Sequence, residues 1–286
     1  MVRSLERSGG FARPPRKVVY TCLFGDYERF NDFEYERSPD IDFVLFTDDA
    51  QIVSRQWKTI VLPRSMLDAA RTVREIKTQP HRFLVDYDWS LFVDNTVRLK
   101  VSPQQIFDEY LASADSPYVC FRHYRRDCVY AEAEIVKAAQ LDDPARIDAQ
   151  MKFYRELGYP AQNGLAKNTF ILRRHHEGPL PKIMEAWFQQ ILLWSRRDQL
   201  SLNPTFWFFG FSPSYLPLRF ADFDILEWPF RDSVRVPRDF VEADYVKAHP
   251  GVGGRARRHY LYDWAPRHLD QATGRDQRGH GHTELP

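Results

Sequence analysis

Short apolar runs with no polar face recur along the first two thirds of the chain, and such runs are typical of strands covered on both sides. We expect strands at residues 18–24, 43–47, 57–62, 91–93, 118–121 and 169–172. Between them, apolar residues recur at helical spacing and predict helices near residues 66–78, 102–111, 128–141, 143–158 and 181–195. This alternation predicts an α/β fold with a mostly parallel central sheet and helices on both faces.

The pattern weakens after residue 203, where the aromatic runs WFFGF and WPFR follow no clear period and predict no further element. Residues 1–16 are polar and basic, and the C-terminal residues are rich in Arg, Gly and His. We therefore expect a flexible basic arm at residues 1–16, a single domain at residues 17–267 and a disordered tail at residues 268–286.

Polar side chains stand where several predicted strands end. The central run at residues 91–93 stops at Asp94, Asn95 and Thr96. In open α/β sheets, ligands bind outside the carboxyl ends of the strands. A carboxylate at this position suits Mg²⁺ or Mn²⁺, since both prefer hard oxygen ligands. The alternative is that Asp94 starts a turn or caps the next element.

Composition narrows the class of protein. The 286 residues carry a net charge of +1, which gives no case for nucleic acid as a partner. No run reaches the roughly 18 apolar residues of a membrane span, and residues 1–16 contain no apolar segment of a secretory signal. Three cysteines without a CxxC pair argue against a disulfide framework or a zinc ribbon. We expect a cytoplasmic enzyme, and the sequence leaves its oligomeric state open.

A nucleotide-diphosphate ligand needs a pocket for its base and ribose beside the first strands. Thr21 and Phe24, towards the end of the first strand, and Tyr27, just after it, are candidates for contacts with the base. Asp48 and Asp49 follow the second strand and are candidates for the ribose hydroxyls.

The diphosphate needs positive charge, because negative charge grows on this group when it leaves. Arg71, Arg74 and Lys77 share one face of the predicted helix at residues 66–78. They are candidates for the phosphates, or they form a solvated helix face.

A second substrate needs a polar group near the reacting carbon, for orientation or proton transfer. Arg197, Asp198 and Gln199 follow the long helix at residues 181–195 and are the candidate catalytic residues near this acceptor. The alternative for Asp198 is a helix-terminal ion pair with Arg196 or Arg197.

Seven blocks in order carry a resemblance to a known family. They are VVYTCLFGDYE, FVLFTDD, KTQPH, SLFVDNTVRL, FRHYRRDCVYAEA, NGLAKNTFILRRH and RRDQLSL, between residues 18 and 217. Together they resemble the glycosyltransferase-like family of mucilage-related proteins, which is also found in bacteria. That family is similar to GT-A glycosyltransferases, especially the hexosyltransferases of family 8. The resemblance implies a GT-A-like nucleotide-diphosphosugar transferase fold, a UDP-sugar donor and a glycan or lipid-linked acceptor.

The resemblance also implies a metal site. VDNT stands where the DxD motif lies, which makes Asp94 and Thr96 ligands of Mn²⁺ or Mg²⁺ and places Asn95 beside the donor. The third position of the DxD motif is occupied by Thr96 rather than Asp, and a hydroxyl is a weaker ligand than a carboxylate. A late histidine often completes this site, and His249 is the match. NGLAKNTFIL and RRDQLSL stand on the acceptor side.

Two other functions stay open from the sequence. The imperfect DxD motif permits a non-catalytic module that binds a nucleotide or sugar. A ceramidase-like hydrolase is the third hypothesis, although the chain has neither a GxSxG nor an HExxH motif.

Overall fold

The computed structural model describes residues 14–25, 28–63, 66–217, 224–228 and 241–250. Most of the predicted arm, the whole predicted tail and the candidate residue Tyr27 lie outside these ranges.

The central sheet contains seven strands in the order β3-β2-β1-β4-β7-β6-β8. β7 pairs antiparallel with both of its neighbours, β4 and β6, whereas the other pairings in this sheet are parallel. A small antiparallel sheet joins β5 to β9. The strands are β1 (Lys17–Leu23), β2 (Ile41–Thr47), β3 (Lys58–Val61), β4 (Trp89–Val93), β5 (Arg98–Leu99), β6 (Tyr118–Arg122), β7 (Ala166–Arg173), β8 (Ser214–Tyr215) and β9 (Leu226–Glu227). The predicted α/β fold with a mostly parallel sheet is confirmed.

Helices connect the strands and begin at capping residues that the sequence supplies. The Asp68 carboxylate accepts a hydrogen bond from the backbone N–H of Arg71, so the first helix begins at Ala69. The helices are α1 (Ala69–Thr78), α2 (Pro80–Phe83), α3 (Pro103–Ile106), α4 (Val129–Ala138), α5 (Pro144–Glu156), α6 (Leu180–Leu193), α7 (Gln199–Phe208) and α8 (Glu242–Ala248), and a π-helical turn at Phe107–Leu111 extends α3. No helix among the described residues is long and apolar enough to cross a membrane.

Both faces of the sheet are covered, which explains why its strands have no polar face. Tyr20 and Cys22 of β1 belong to a core shared with α1, α6 and α7. Val19 and Leu23, which alternate with them, belong to a core on the other face, shared with α3 and its π-helical turn. The sheet therefore has helices on both sides, as the sequence predicted.

A buried arginine fastens the end of α1 to the sheet. Arg173 of β7 is fully buried, and its Nη2 donates to the carbonyl oxygen of Lys77 at 2.8 Å. The Tyr20 hydroxyl donates to the same carbonyl at 3.0 Å. A positive group at a helix C-terminus is favourable because the last carbonyls carry partial negative charge. These bonds fix the position from which the Lys77 side chain projects.

α7 is an element that the sequence pattern did not predict. Its residues from Gln199 to Phe206 are all buried. A helix buried on every side has no polar stripe, so the helical period is lost. Pro204 lies inside it, which is a further signal against a helix.

Candidate functional site

A cleft of about 580 Å³ opens at the carboxyl end of β4. β7 reaches the same edge with its first residues, because it runs in the opposite direction to β4. The ionisable residues that line the cleft are five basic ones (Arg74, Lys77, Lys167, Arg196 and Arg197) and three acidic ones (Glu28, Asp94 and Asp198). Cys22, Asn95, Thr96, Asn168, Thr169, Gln199 and Trp228 are among its other lining residues.

Lys77 lies between two carboxylates of the cleft. Its Nζ is 2.8 Å from Oδ2 of Asp198 and 3.6 Å from Oδ1 of Asp94. The ammonium group also lies 4.9 Å from the centre of the Phe92 ring, within the range of a cation–π contact. The Lys77 side chain is 4% exposed, whereas that of Asp94 is 32% exposed. Asp94 is thus the carboxylate that a ligand reaches from solvent.

Asp198 is a buried anion at the N-terminus of α7. Burial by itself raises the pKa of this carboxyl, but Lys77 and Arg74 hold the pKa well below its usual range. Arg74 Nε lies 3.9 Å from Oδ1 of Asp198. The main chain of Asp198 is also fixed, since Trp187 Nε1 donates to the Asp198 carbonyl at 3.0 Å. Asp198 therefore stays ionised and cannot serve as a proton donor near neutral pH.

Lys167 and Arg197 add two further cations to the basic side of the cleft. Burial lowers the pKa of Lys167 to about 8, and its Nζ lies 3.9 Å from the centre of the Trp228 ring. Burial, followed by the charge of Arg74, lowers the pKa of Arg197. Arg197 Nε is buried and has no hydrogen-bond partner among the described residues. Burial and mutual repulsion make this group of cations unfavourable without a partner. Such groups are typical of a site that binds a multiply charged anion.

Glu28 is a site residue that the sequence analysis missed. Burial and, to a lesser extent, the nearby Asp94 charge raise its pKa to about 7. Asn95 Nδ2 donates to Glu28 Oε2 at 2.9 Å, and the backbone N–H of Asn31 donates to Asn95 Oδ1 at 3.0 Å. Asn95 thus holds the loop after β1 against the end of β4. Glu28 precedes β2 in a segment without regular pattern, and although it ends the block VVYTCLFGDYE, no strand end or helix face marks it as a site residue.

The basic turn after β6 does not point its charge at the cleft. Arg126 pairs through Nε with the buried carboxylate of Glu132. His123 Nδ1 accepts hydrogen bonds from the backbone N–H groups of Arg125 and Arg126 at 3.3 and 3.0 Å. Burial, together with the neighbouring cations including Lys167, lowers the pKa of His123 to about 3, so this ring is neutral. The turn supports the wall that carries Lys167.

The structure brings most of the predicted catalytic and metal residues together. Eight predicted residues line the cleft, namely Arg74, Lys77, Asp94, Asn95, Thr96, Arg197, Asp198 and Gln199. Asp198 pairs with Lys77 and Arg74 of α1 rather than forming the helix-terminal pair with Arg196 or Arg197.

The remaining predicted residues that the structure describes are not among those that line the cleft. Arg71 pairs with Asp68 at 2.6 Å and donates to the carbonyls of Ile191 and Trp194, because it lies near the start of α1. Phe24 is fully buried in the core shared with α1. Thr21 is also buried, within β1.

Two aspartates and a histidine serve local structure instead. Asp48 accepts from the backbone N–H of Gly25 at 3.1 Å and so joins the ends of β1 and β2. Asp49 accepts from the backbone N–H of Gln51 at 2.9 Å in a turn. His249 follows α8, its Nδ1 lies 3.0 Å from the Tyr245 carbonyl, and it is not among the described residues that line the cleft.

The side chains of the cleft could hold a divalent cation only if a bound phosphate and water supplied further oxygen ligands. Within the described part of the chain, no three His, Cys, Asp or Glu side chains cluster as a metal centre. Asp94 is the exposed carboxylate at the strand end, and Thr96 lies beside it. Mg²⁺ commonly takes one or two protein carboxylates and completes its coordination with phosphate oxygens and water. The donor set of this cleft fits that arrangement.

Fold and cleft define an α/β domain with a cation-rich cleft at the carboxyl edge of its sheet, which is where open α/β domains bind their ligands. The model of the TOD1/MUCI70 glycosyltransferase-like domain matches residues 15–215, and the chain belongs to this family. The resemblance seen in the sequence is thereby confirmed.

Two other comparisons add detail. The chain is 31% identical over 159 residues to the probable hexosyltransferase MUCI70 of Arabidopsis thaliana, a match that covers 51% of this chain and 27% of the relative. The chain thus spans about a quarter of that relative's length. It is also similar to the mannosyltransferase Ktr4p of S. cerevisiae, with a TM-score of 0.38 and 12% identity, over 71% of this chain and 69% of Ktr4p.

Proposed function

We propose that the chain is a hexosyltransferase that moves a sugar from a nucleotide-diphosphate donor, a UDP-sugar, to a hydroxyl of a glycan or lipid-linked acceptor. The observation that carries this proposal is the excess of cations in one cleft at the carboxyl edge of the sheet. All five of them, Arg74, Lys77, Lys167, Arg196 and Arg197, are buried or half-buried. Buried cations that outnumber the nearby carboxylates suit a diphosphate, which brings the missing negative charge.

In the proposed reaction, the bond between the anomeric carbon and the diphosphate oxygen breaks, the oxygen of the acceptor hydroxyl bonds to that carbon, and the hydroxyl proton passes to the leaving diphosphate. Negative charge grows on the leaving diphosphate, and Arg74 and Lys77 are placed to stabilise it. Asp198 holds both cations in position through its ion pairs. Its permanent negative charge also favours the positive charge that develops on the sugar ring.

Asp94 and Thr96 would hold Mn²⁺ or Mg²⁺ in this proposal. When bound, the cation would neutralise charge on the diphosphate. The protein's contribution is to present the half-exposed Asp94 carboxylate, which Lys77 orients from its buried side. Hexose as the sugar class is supported by the relative's description as a probable hexosyltransferase.

The test is thermal unfolding of the protein with UDP, GDP, ADP and CDP, with and without Mn²⁺. A ligand at about 100 times its Kd stabilises a fold by roughly 2.7 kcal/mol, which is readily measured. We expect one nucleotide to raise Tm, and we expect Asp94→Ala to remove the Mn²⁺-dependent part of that increase. Arg37→Ala, a change at an exposed residue whose Nη2 donates to the Arg55 carbonyl, is the control.

Transfer itself is measured by mass spectrometry of labelled sugar on mixed glycan and lipid-linked acceptors. Nucleotide binding without turnover on any acceptor would favour the non-catalytic module. Absence of any nucleotide effect, together with release of fatty acid from ceramide, would favour the hydrolase.

A further inference from the structure

The side-chain amide of Asn168 lies in the wall of the cleft, buried and unpaired. Asn168 is 5% exposed, and neither its Nδ2 nor its Oδ1 has a hydrogen-bond partner among the described residues. Buried side-chain amides in folded proteins are normally hydrogen-bonded, because an unpaired amide loses the bonds it made to water. An unpaired amide that faces a cleft therefore indicates a ligand that supplies the missing partners.

An irregularity in the sheet places this side chain. Cys120 of β6 pairs with Ile171 of β7, whereas the next residue, Phe121, pairs with Lys167. Residues 168–170 thus have no partner on β6. Bulges of this kind occur next to active sites and redirect side chains that a regular strand would point elsewhere. The interruption falls on Asn168 and the two residues that follow it.

The position of Asn168 relates it to the donor. The backbone N–H of Asp94 donates to the Thr169 carbonyl at 2.9 Å, so Asn168 is one residue from the strand contact that holds Asp94. On its other side is Lys167, a cation of the cleft. The amide therefore lies next to the groups proposed to hold the diphosphate. The diphosphate of such a donor links two hydroxyl-bearing groups, the ribose of the nucleoside and the sugar to be transferred, so the amide lies beside a place where one of them would bind.

We propose that Asn168 is a specificity-determining residue whose amide hydrogen-bonds two neighbouring hydroxyls of the hexose on the nucleotide donor. This inference rests on the proposed function, since its ligand is a nucleotide-bound hexose. The amide offers N–H donors at Nδ2 and lone pairs at Oδ1, and a pair of adjacent hydroxyls satisfies both. A sugar that lacks or inverts one of these hydroxyls leaves the buried amide unpaired and is bound less well.

The test uses Asn168→Leu, which keeps nearly the same size and removes both polar atoms. Because the amide is unpaired in the free protein, the variant is expected to unfold at the same Tm as wild type or at a higher one. Calorimetry with UDP, UDP-glucose, UDP-galactose, GDP and GDP-mannose gives the binding constants. The variant is expected to bind the free nucleoside diphosphate like wild type. It is expected to bind the preferred nucleotide sugar about tenfold to a hundredfold more weakly and to lose the discrimination between epimers.

Tyr118→Phe is the matched control. The Tyr118 hydroxyl is likewise buried without a hydrogen-bond partner among the described residues, but Tyr118 does not line the cleft. Its removal is expected to leave every binding constant unchanged.

Three results would overturn the inference, and they are distinguishable. A lower Tm with unchanged donor binding would make Asn168 a structural residue. Unchanged donor binding with a raised KM for the acceptor would assign the hydroxyl pair to the acceptor. A wild-type protein that binds none of the nucleotides or nucleotide sugars would overturn the proposed function, and this inference with it.

Discussion

Lys77 Nζ lies 2.8 Å from Oδ2 of Asp198, and both side chains are almost completely buried. The pair joins α1 to the start of α7 inside the cleft. Breaking a buried ion pair by removing one partner typically costs about 3–5 kcal/mol, because the other charge is left uncompensated. We therefore expect Asp198→Asn to lower the free energy of unfolding by about this amount.

The double variant Lys77→Met/Asp198→Asn separates the interaction energy of the pair from the other effects of each substitution. It is expected to be less destabilised than the sum of the two single variants by at least about 1 kcal/mol, since each change already removes the same ion pair. Denaturant unfolding measures all three free energies. Additivity within about 0.5 kcal/mol would mean that the two residues do not couple.

Arg74 and Arg71 lie one turn apart on α1 and make a matched pair for testing the anion site. Arg74 lines the cleft, whereas Arg71 pairs with Asp68 outside it. Arg74→Met is expected to weaken binding of the preferred nucleoside diphosphate about tenfold, because a charge-assisted contact to phosphate is lost. Arg71→Met is expected to leave this affinity unchanged. Equal effects of the two substitutions in calorimetry would contradict the placement of the site.

Glu28 makes the stability depend on pH. Its pKa is about 7 in the folded protein, against an ordinary value of 4.5. Between these values the folded state holds a proton that the unfolded state has lost, so stability falls as pH rises through this window. Glu28→Gln is expected to remove this slope and to be more stable than wild type at pH 7 and above. Chemical denaturation between pH 4 and pH 8 measures it, and parallel curves for the two proteins would refute the assignment.

Lys167 makes anion binding depend on pH. Burial lowers its pKa to about 8, so its positive charge is lost as pH rises through this value. The affinity for the nucleoside diphosphate is expected to decrease across that range in wild type. Lys167→Arg is expected to give a flatter profile, because arginine stays charged. Lys167→Met is expected to bind weakly at every pH, and a wild-type profile in this variant would exclude a direct role.

The sheet could be predicted because its strands are covered on both sides. Runs such as residues 91–93 are apolar throughout, and the polar residues that follow them mark the strand ends. Asp94 could be found for this reason, Lys77 because α1 is amphipathic enough to show its basic face, and Asp198 because it follows the long helix α6. Local pattern and family resemblance agreed at these positions.

Other features of the site depend on strand register and side-chain contacts in the folded protein, which the local sequence pattern does not show. The interruption between β6 and β7 that presents Asn168 arises from register, not from a distinctive residue. The same helix face holds Arg71 and Arg74, yet Asp68 draws the first away from the cleft. The end of the predicted first strand made Phe24 a candidate for a ligand contact, but its aromatic ring is fully buried in the core.

The reversed strand β7 has a consequence for the order in which the chain is completed during synthesis. β4 is hydrogen-bonded to β1 on one side and to β7 on the other, and β7 is made more than seventy residues later. Until residues 166–173 have left the ribosome, the nascent sheet keeps an open edge at β4, with unpaired backbone groups available to other chains. The same segment brings Lys167 and Asn168. Closing the edge therefore also brings these two residues to the cleft, which residues 196–199 complete later in synthesis.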